Sequence, residues 1–592
     1  MYTIVAHTGH GVTRIQADAG ESLLSALQRG GVTVPAPCGG HGTCGKCRVK
    51  VLSGDAGEIT AEEKRLLAGE MEKGWRLACR CAVTGDITLE VPASDVDARV
   101  LVDGGVGEVD LCPASRRVVL PADPPSLADQ RSDAERVREA AGAESVAFSA
   151  LPQMSRAARE GAAVFLFRGA VMSAEGDTAR NLGVAVDVGT TTMAAYLTDL
   201  DSGETLEKAS CLNPQRAHGG DVISRADYAA QSGENLMALR RQVTGAIEDM
   251  TGRMLEKAGL GMEDVRHVVA VGNTIMMHLL LGLDPRHIAA SPFAPVYTRS
   301  VDVPAGALGM TLPRAMVTPG PCVAGYVGAD TVAAILSCDM DRSPDIHLMI
   351  DIGTNGEIAL GGQGGIVCCS AAAGPAFEGA HIHCGSGAAL GAVDSVKIHD
   401  GQVDITTIGG AAPATICGSG LVDAVAEMLK EEIIDETGRL DEDEIPDEYA
   451  DRLIEVDGKP AFSLDGRGEE GVFITQKDLR EVQLAKAAIA AGIEVLMESM
   501  GIRYGQVKSL YLAGGFGNYI RRESAVEIGL LPSQMRDKIV PVGNAAGSGA
   551  RRMLLSRRDE ERAARIAADA KYIELSARPD FQDKFVENMM FE

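Results

Sequence analysis

No apolar run in the chain approaches the roughly 18 residues that a membrane-spanning helix needs, so no membrane span is expected. Aromatic residues are scarce, 4% of 592, with a single tryptophan. Positive charge is in deficit: 56 Lys and Arg stand against 83 Asp and Glu, a net charge of −27. That balance argues against nucleic acid and against anionic membrane surfaces as partners. The opening residues, Met1-Tyr2-Thr3-Ile4-Val5-Ala6, carry neither a basic stretch nor a long apolar one, so no secretory signal is read there. Thirteen cysteines in a chain this long are too sparse for a disulfide framework. Together these point to a reducing, cytoplasmic setting. The length implies several domains with ample core.

What is present is organised around Pro37-Cys38-Gly39-Gly40-His41-Gly42-Thr43-Cys44-Gly45-Lys46-Cys47. Cys38, Cys44 and Cys47 form a C-x5-C-x2-C run in a glycine-rich loop. A fourth thiol follows in Arg76-Leu77-Ala78-Cys79, with Cys81 two residues on. Three thiolates from one tight loop and one from a remote point suit a [2Fe–2S] cluster. The glycines let the backbone curl and aim N–H groups at sulfur. A structural zinc site is the alternative, although its cysteines usually come as two short pairs. Gly40-x4-Gly45-Lys46 is a near miss to a P-loop, with Cys47 where Ser or Thr should stand.

Around this loop, Thr3–Ala6 and Gly11–Ile15 read as a strand pair. Ser22–Arg29 has helical spacing, and Arg48–Val51 and Ile87–Val91 alternate as strands. The unit, residues 1–94, resembles a plant-type or adrenodoxin-type ferredoxin with a β-grasp fold. The family's Arg-Leu-Ala/Gly-Cys motif implies Cys79 rather than Cys81 as the fourth ligand. Residues 95–125, with Pro113, Pro121, Pro124 and Pro125, read as a linker. Residues 126–182 read as a small α/β module, with a helix over Ala134–Ala141 and a buried strand at Val164–Phe167.

From 183 to 592 the sequence repeats itself. Val184-Ala185-Val186-Asp187-Val188-Gly189-Thr190-Thr191-Thr192 is echoed by Leu348-Met349-Ile350-Asp351-Ile352-Gly353-Thr354-Asn355-Gly356. Each copy is an apolar strand ending in Asp-x-Gly-Thr, followed by a second apolar stretch. Such a hairpin tip offers backbone N–H groups and hydroxyls to phosphate, and its aspartate can hold Mg²⁺ directly or through water. Two such tips can clamp one nucleotide between two lobes. This half resembles the acetate kinase, sugar kinase, Hsp70 and actin superfamily, which implies a duplicated ribonuclease-H-like ATPase. The expected adenosine element is Leu510-Tyr511-Leu512-Ala513-Gly514-Gly515-Phe516-Gly517-Asn518. Gly514, Gly515 and Asn518 are the candidate contacts, beside Gly189, Thr190, Thr191, Gly353, Thr354 and Asn355. Gly418 and Ser419 open a helix suited to an anion. Asp187 and Asp351 are the candidate metal and phosphate residues. Glu378, Asp221 and Arg225 are candidate catalytic or terminal-phosphate contacts, against capping or surface roles. Met276, Met277 and His278 read as core, as do Cys368, Cys369, Cys384 and Cys417. The acidic stretch Glu431–Asp457 reads as a solvated excursion.

The order of units resembles, over essentially the full length, the reductive activators of corrinoid proteins. The resemblance implies ATP-dependent transfer of one electron from the [2Fe–2S] cluster to a partner's cobalt, taking inactive Co(II) to Co(I). It also implies a homodimer and an external electron donor. Three alternatives remain open at this point: an activator of the 2-hydroxyacyl-CoA dehydratase type, a small-molecule kinase with a fused redox unit, and a non-enzymatic carrier whose second part only docks partners.

Overall fold

The computed structural model describes residues 1–592 except 9, 10, 31, 33, 35, 37–39, 41, 43, 44, 93–106, 442–444 and 592. Cys38 and Cys44 therefore lie outside the described residues.

The first unit is a five-stranded β-grasp around one short helix. Tyr2–Thr8 pairs antiparallel with Gly11–Ala17 and parallel with Ile87–Glu90; the latter pairs antiparallel with Arg48–Gly54, and Trp75–Leu77 closes the edge. The helix Leu23–Arg29 buries Leu23, Leu24, Ala26 and Leu27 against the sheet. These are the i, i+1, i+3 and i+4 positions of one helical face.

Residues expected to form only a linker contribute a strand. Ser115–Leu120, bracketed by Pro113 and Pro121, pairs antiparallel with Ala162–Phe167 at the edge of a four-stranded sheet. Both prolines sit outside the ladder, where a missing N–H costs nothing. Helices Asp133–Ala140 and Leu151–Glu160 pack on that sheet.

The remaining chain forms two lobes with the same strand plan. In the first lobe the sheet order runs Thr205–Leu212, Thr192–Asp199, Leu182–Val188, Val265–Gly272, Met316–Pro319, Val303–Pro304. In the second it runs Gly365–Ala371, Gly356–Gly362, Ile346–Ile352, Val507–Ala513, Ile539–Gly543, with Lys571–Tyr572 beyond Gly365–Ala371. Each lobe is a three-stranded antiparallel meander followed by two parallel strands. Val265–Gly272, buried at every position, carries no polar alternation, as expected for a strand covered on both faces. The long helices Gly233–Ala258 and Gln476–Met500 cover the outer faces, and Ala545–Leu555 packs back onto the first lobe against Ala329–Ser337. Duplicated ribonuclease-H-like lobes, a β-grasp unit and the four-stranded module between them in sequence make up the fold. Parallel pairing sets the carboxyl ends of the central strands, and with them Asp187 and Asp351, at the rim of the cleft.

The acidic stretch 431–457 is more than a solvated excursion. Ile433, Ile434, Leu440 and Tyr449 anchor it in the second core, and Leu453–Val456 begins a three-stranded sheet with Lys459–Ser463 and Phe473–Thr475. Its charges face outward while widely spaced apolar residues face in. His278 sits in the core, its Nδ1 2.7 Å from the Thr274 carbonyl oxygen and its Nε2 accepting from the Val296 N–H at 3.0 Å.

Candidate functional site

The cysteine loop closes on the strand end that follows it. The Ala78 N–H donates to the Cys47 carbonyl at 2.8 Å, and the Cys47 and Cys79 sulfurs stand 3.3 Å apart. Gly40, Gly42 and Gly45 all have positive φ, at 87°, 73° and 66°. Gly42 sits in the left-handed region that favours glycine, and a side chain there would press only on the movable end of the Arg80 side chain. Arg76 supports the loop from behind. It is paired with the buried carboxylate of Glu63 (Nε–Oε1 2.8 Å) and donates to the Gly57 and Glu58 carbonyls at 3.1 Å. Burial pushes the Glu63 carboxyl up, but bonds from Arg76, Thr60 and the Leu77 N–H outweigh it and hold the group ionised. Cys81 points the other way, into this buried pair, 3.9 Å from Glu63. Burial pushes its thiol up to about 12, with Arg76 opposing and Glu63 adding. Cys79, half-exposed, lies against Cys47.

The second candidate site lies between the lobes. Asp187 and Asp351 occupy matching places on Leu182–Val188 and Ile346–Ile352. Two acids that sequence reasoning missed join them. Glu357 is the direct cross-strand partner of Asp351, and Asp330 opens the helix Ala329–Ser337. Removal from bulk water, then Asp330 and Asp351, push the Asp187 carboxyl up to about 7, against a 3.0 Å bond from Asn544 Nδ2. Burial and Asp330 likewise push Asp351 to about 7. Asp330 and Glu357 are displaced upward too, burial being the main cause for both. These carboxylates keep part of their surface open to the cleft, so water moderates the effect. Gly514, at φ 85°, lets the backbone after Val507–Ala513 pass Asp351; a side chain there would meet Oδ1 at 2.4 Å. Gly515 and Asn518 continue in the short helix Gly514–Tyr519, whose Phe516 ring stacks on Phe377 at 5.0 Å. Gly418 is pressed against Phe377, where a side chain would meet the carbonyl oxygen at 2.0 Å, and the Ser419 hydroxyl donates to the Asp394 carbonyl at 2.9 Å.

Glu378 bridges the two repeats. It accepts from the Thr191 hydroxyl at 3.0 and 3.1 Å and from the Thr354 hydroxyl at 3.1 Å, one threonine from each hairpin tip. Burial pushes its carboxyl up, against those bonds and the charges of Arg216 and Arg225. Arg225 is wholly buried and donates to the Thr190 carbonyl at 2.6 Å and the Gly219 carbonyl at 3.0 Å. Burial and then Arg216 push it downward, yet a guanidinium stays charged at neutral pH. Asp221 sits at the start of Val222–Gln231 and caps it, accepting from the Ser224 N–H at 2.8 Å. Gly189, Gly353 and Asn355 shape the tips; the Gly353 N–H donates to the Asn355 carbonyl at 2.9 Å. Asp330 could have been suspected from Gly325-x2-Gly328-Ala329-Asp330, a glycine turn delivering an acid to a helix start. Glu357 had no comparable signal.

A ferredoxin-type unit joined to a two-lobed cleft lined with carboxylates and hydroxyls defines an ATPase-linked iron–sulfur protein. The comparisons with known proteins carry this further. Residues 8–84 match the 2Fe-2S iron-sulfur cluster binding domain, 182–343 the RACo middle region, and 345–592 the C-terminal, ASKHA domain of RACo. The chain is similar to the corrinoid activation enzyme RamQ of Eubacterium limosum, 37% identical over 417 residues that cover 69% of this chain and 70% of that one. It is also similar to the [Co(II) methylated amine-specific corrinoid protein] reductase of Methanosarcina barkeri, 28% identical over 65% of this chain and 73% of that one. A solved structure of a reductive activator for corrinoid, iron-sulfur protein covers 100% of this chain and 98% of its own, with a TM-score of 0.74 and 31% identity. The chain belongs to the family of reductive activators of corrinoid proteins.

Proposed function

We propose that this protein reduces a corrinoid partner's cobalt from Co(II) to Co(I) by one electron, in a step that depends on ATP. The observation that carries the reading is the pairing of two sites in one chain: Cys47 against Cys79 in a ferredoxin-type unit, and the two Asp-x-Gly-Thr tips drawn together on Glu378. Cys38, Cys44, Cys47 and Cys79 would hold a [2Fe–2S] cluster. When bound, such a cluster supplies one low-potential electron, at about −400 mV for plant-type centres. That electron would pass to the partner's cobalt, and an external donor would replace it.

The cleft residues fit MgATP. Four carboxylates with raised proton affinity, and no balancing cation beside them among the described residues, are a demand for positive charge. Among the described residues, no three metal-binding side chains converge closely enough to cage an ion by themselves. That suits Mg²⁺, which keeps several waters and takes few protein ligands alongside phosphate oxygens. Asp187 and Asp351 would orient those waters, Gly189–Thr191 and Gly353–Asn355 would receive the phosphates, and Gly514 and Gly515 would lie under the nucleoside. Glu378, between the tips, is placed to accept a proton from an attacking water. ATP occupancy changes the relation between the lobes, and the partner is engaged in one of those states. The second copy that a homodimer requires is part of this proposal.

The test uses anaerobically purified, chemically reduced protein mixed with a Co(II) corrinoid protein. Co(I) absorbance appearing with MgATP and absent without nucleotide supports the reading. Equal Co(I) with and without MgATP would reduce the protein to a simple electron carrier.

A further inference from the structure

The ferredoxin unit touches both sides of the nucleotide cleft. Gln28 Nε2, on the helix Leu23–Arg29, donates to the Ala217 carbonyl. Lys46, immediately before Cys47, donates to the Gly385 carbonyl at 3.5 Å. Ala217 belongs to the first lobe and Gly385 to the second.

Each contact point is tied to the Glu378 bridge. Ala217 ends the 3-10 turn Pro214–Ala217. Asn213 fastens the start of that turn to the first hairpin tip: its N–H donates to the Thr191 carbonyl at 2.9 Å and its Nδ2 to the Gly189 carbonyl at 2.8 Å. Arg225 fastens the far side, linking the Thr190 and Gly219 carbonyls. Gln215 donates to the Leu239 carbonyl at 2.9 Å and anchors the middle. The turn is thus a rigid extension of the tip that carries Thr190 and Thr191. On the other lobe Gly385 leans on Gly379, the neighbour of Glu378; a side chain on Gly385 would meet the Gly379 carbonyl oxygen at 2.2 Å.

Arg216, inside the turn, is half-buried in the cleft, near enough to Glu378 for each to act on the other's charge. Its guanidinium has no hydrogen-bond or ion-pair partner among the described residues. Glu378 is the anion whose charge it feels without direct contact, and phosphate oxygens match its fork.

Resting on the reading that the cleft takes MgATP, we propose that the turn Pro214–Ala217 couples the nucleotide's terminal phosphate to the docking of the ferredoxin unit, with Arg216 as the phosphate contact and Ala217 as the docking point. A terminal phosphate entering between the tips competes with Glu378 for the Thr191 and Thr354 hydroxyls and draws Arg216 inward. The turn and the 379–385 segment then move relative to each other, and a unit held to both cannot keep both contacts. ATP therefore loosens the electron donor from its own cleft and frees it to face the partner. ADP, lacking that phosphate, leaves the unit docked.

The test places the photo-crosslinker p-benzoylphenylalanine at exposed position 25, one turn from Gln28 on the same helix, in the full-length, cluster-loaded protein. The intramolecular crosslink to residues 211–219 is read by mass spectrometry with no nucleotide, with MgADP and with MgATP, while calorimetry follows nucleotide binding. The crosslink yield is expected to fall several-fold with MgATP and not with MgADP. Arg216→Ala is expected to erase that fall while still binding MgADP, and Arg216→Lys to restore part of it. Equal yields in all three states, with MgATP binding intact, would overturn the coupling alone, as would an Arg216→Ala response equal to wild type. Absence of any MgATP binding would overturn the nucleotide reading and the coupling with it.

Discussion

Asp351→Asn should make the nucleotide-free protein more stable and useless at once. Asp351 stands opposite Glu357 across the hairpin and feels Asp330, and its carboxyl lies near 7 instead of near 4. A carboxyl whose proton affinity is raised by folding adds nothing unfavourable below about pH 4, where both states hold the proton. The cost grows as pH rises and is complete above about 7, because the folded state must then carry a charge it disfavours. Three pH decades correspond to about 4 kcal/mol. Water entering from the cleft screens part of this, leaving on the order of 1–3 kcal/mol. The assay is thermal unfolding in EDTA at pH 5 and pH 8. The variant should exceed wild type by a few degrees at pH 8 and by much less at pH 5. MgATP should raise the melting temperature of wild type and not of the variant. A variant less stable than wild type at pH 8 without nucleotide would refute the claim that the cleft stores unfavourable negative charge.

Cys79→Ser should abolish the visible absorbance of the cluster, whereas Cys81→Ser should keep it; absorption spectroscopy after reconstitution decides, and the reverse pattern would exchange their roles. Glu378→Gln should lower ATP turnover by about 10²-fold or more with binding retained, read as kcat against calorimetric affinity. Glu63→Gln leaves the Arg76 guanidinium with a weakened buried partner and should destabilise the ferredoxin unit by about 3 kcal/mol, seen as earlier cluster loss on heating.

Much of this was legible before any coordinates. The cysteine spacing and strand alternation gave the β-grasp, because both depend on local periodicity. The repeated Asp-x-Gly-Thr gave the two lobes, because duplication writes the same tip twice. What stayed hidden depends on pairing across distance. Glu357 reaches Asp351 only through antiparallel register, and Asp330 arrives from another element with no repeat to flag it. Ser115–Leu120 was masked by prolines that bracket a strand instead of filling a linker. Asp221, read as possible chemistry, has a capping bond that Asp-Val-Ile-Ser already spelled out at a helix start. The contacts of Gln28 and Lys46 with the cleft have no sequence signature at all.

The central claim is that the nucleotide cleft controls electron delivery from a cluster it does not touch chemically. The most direct measurement mixes reduced Asp351→Asn protein, its cluster spectrum intact, with a Co(II) corrinoid protein and MgATP, and follows Co(I) against wild type. A fully reduced cluster with Co(I) formation lost is the result predicted here. Co(I) at the wild-type rate and yield would contradict it.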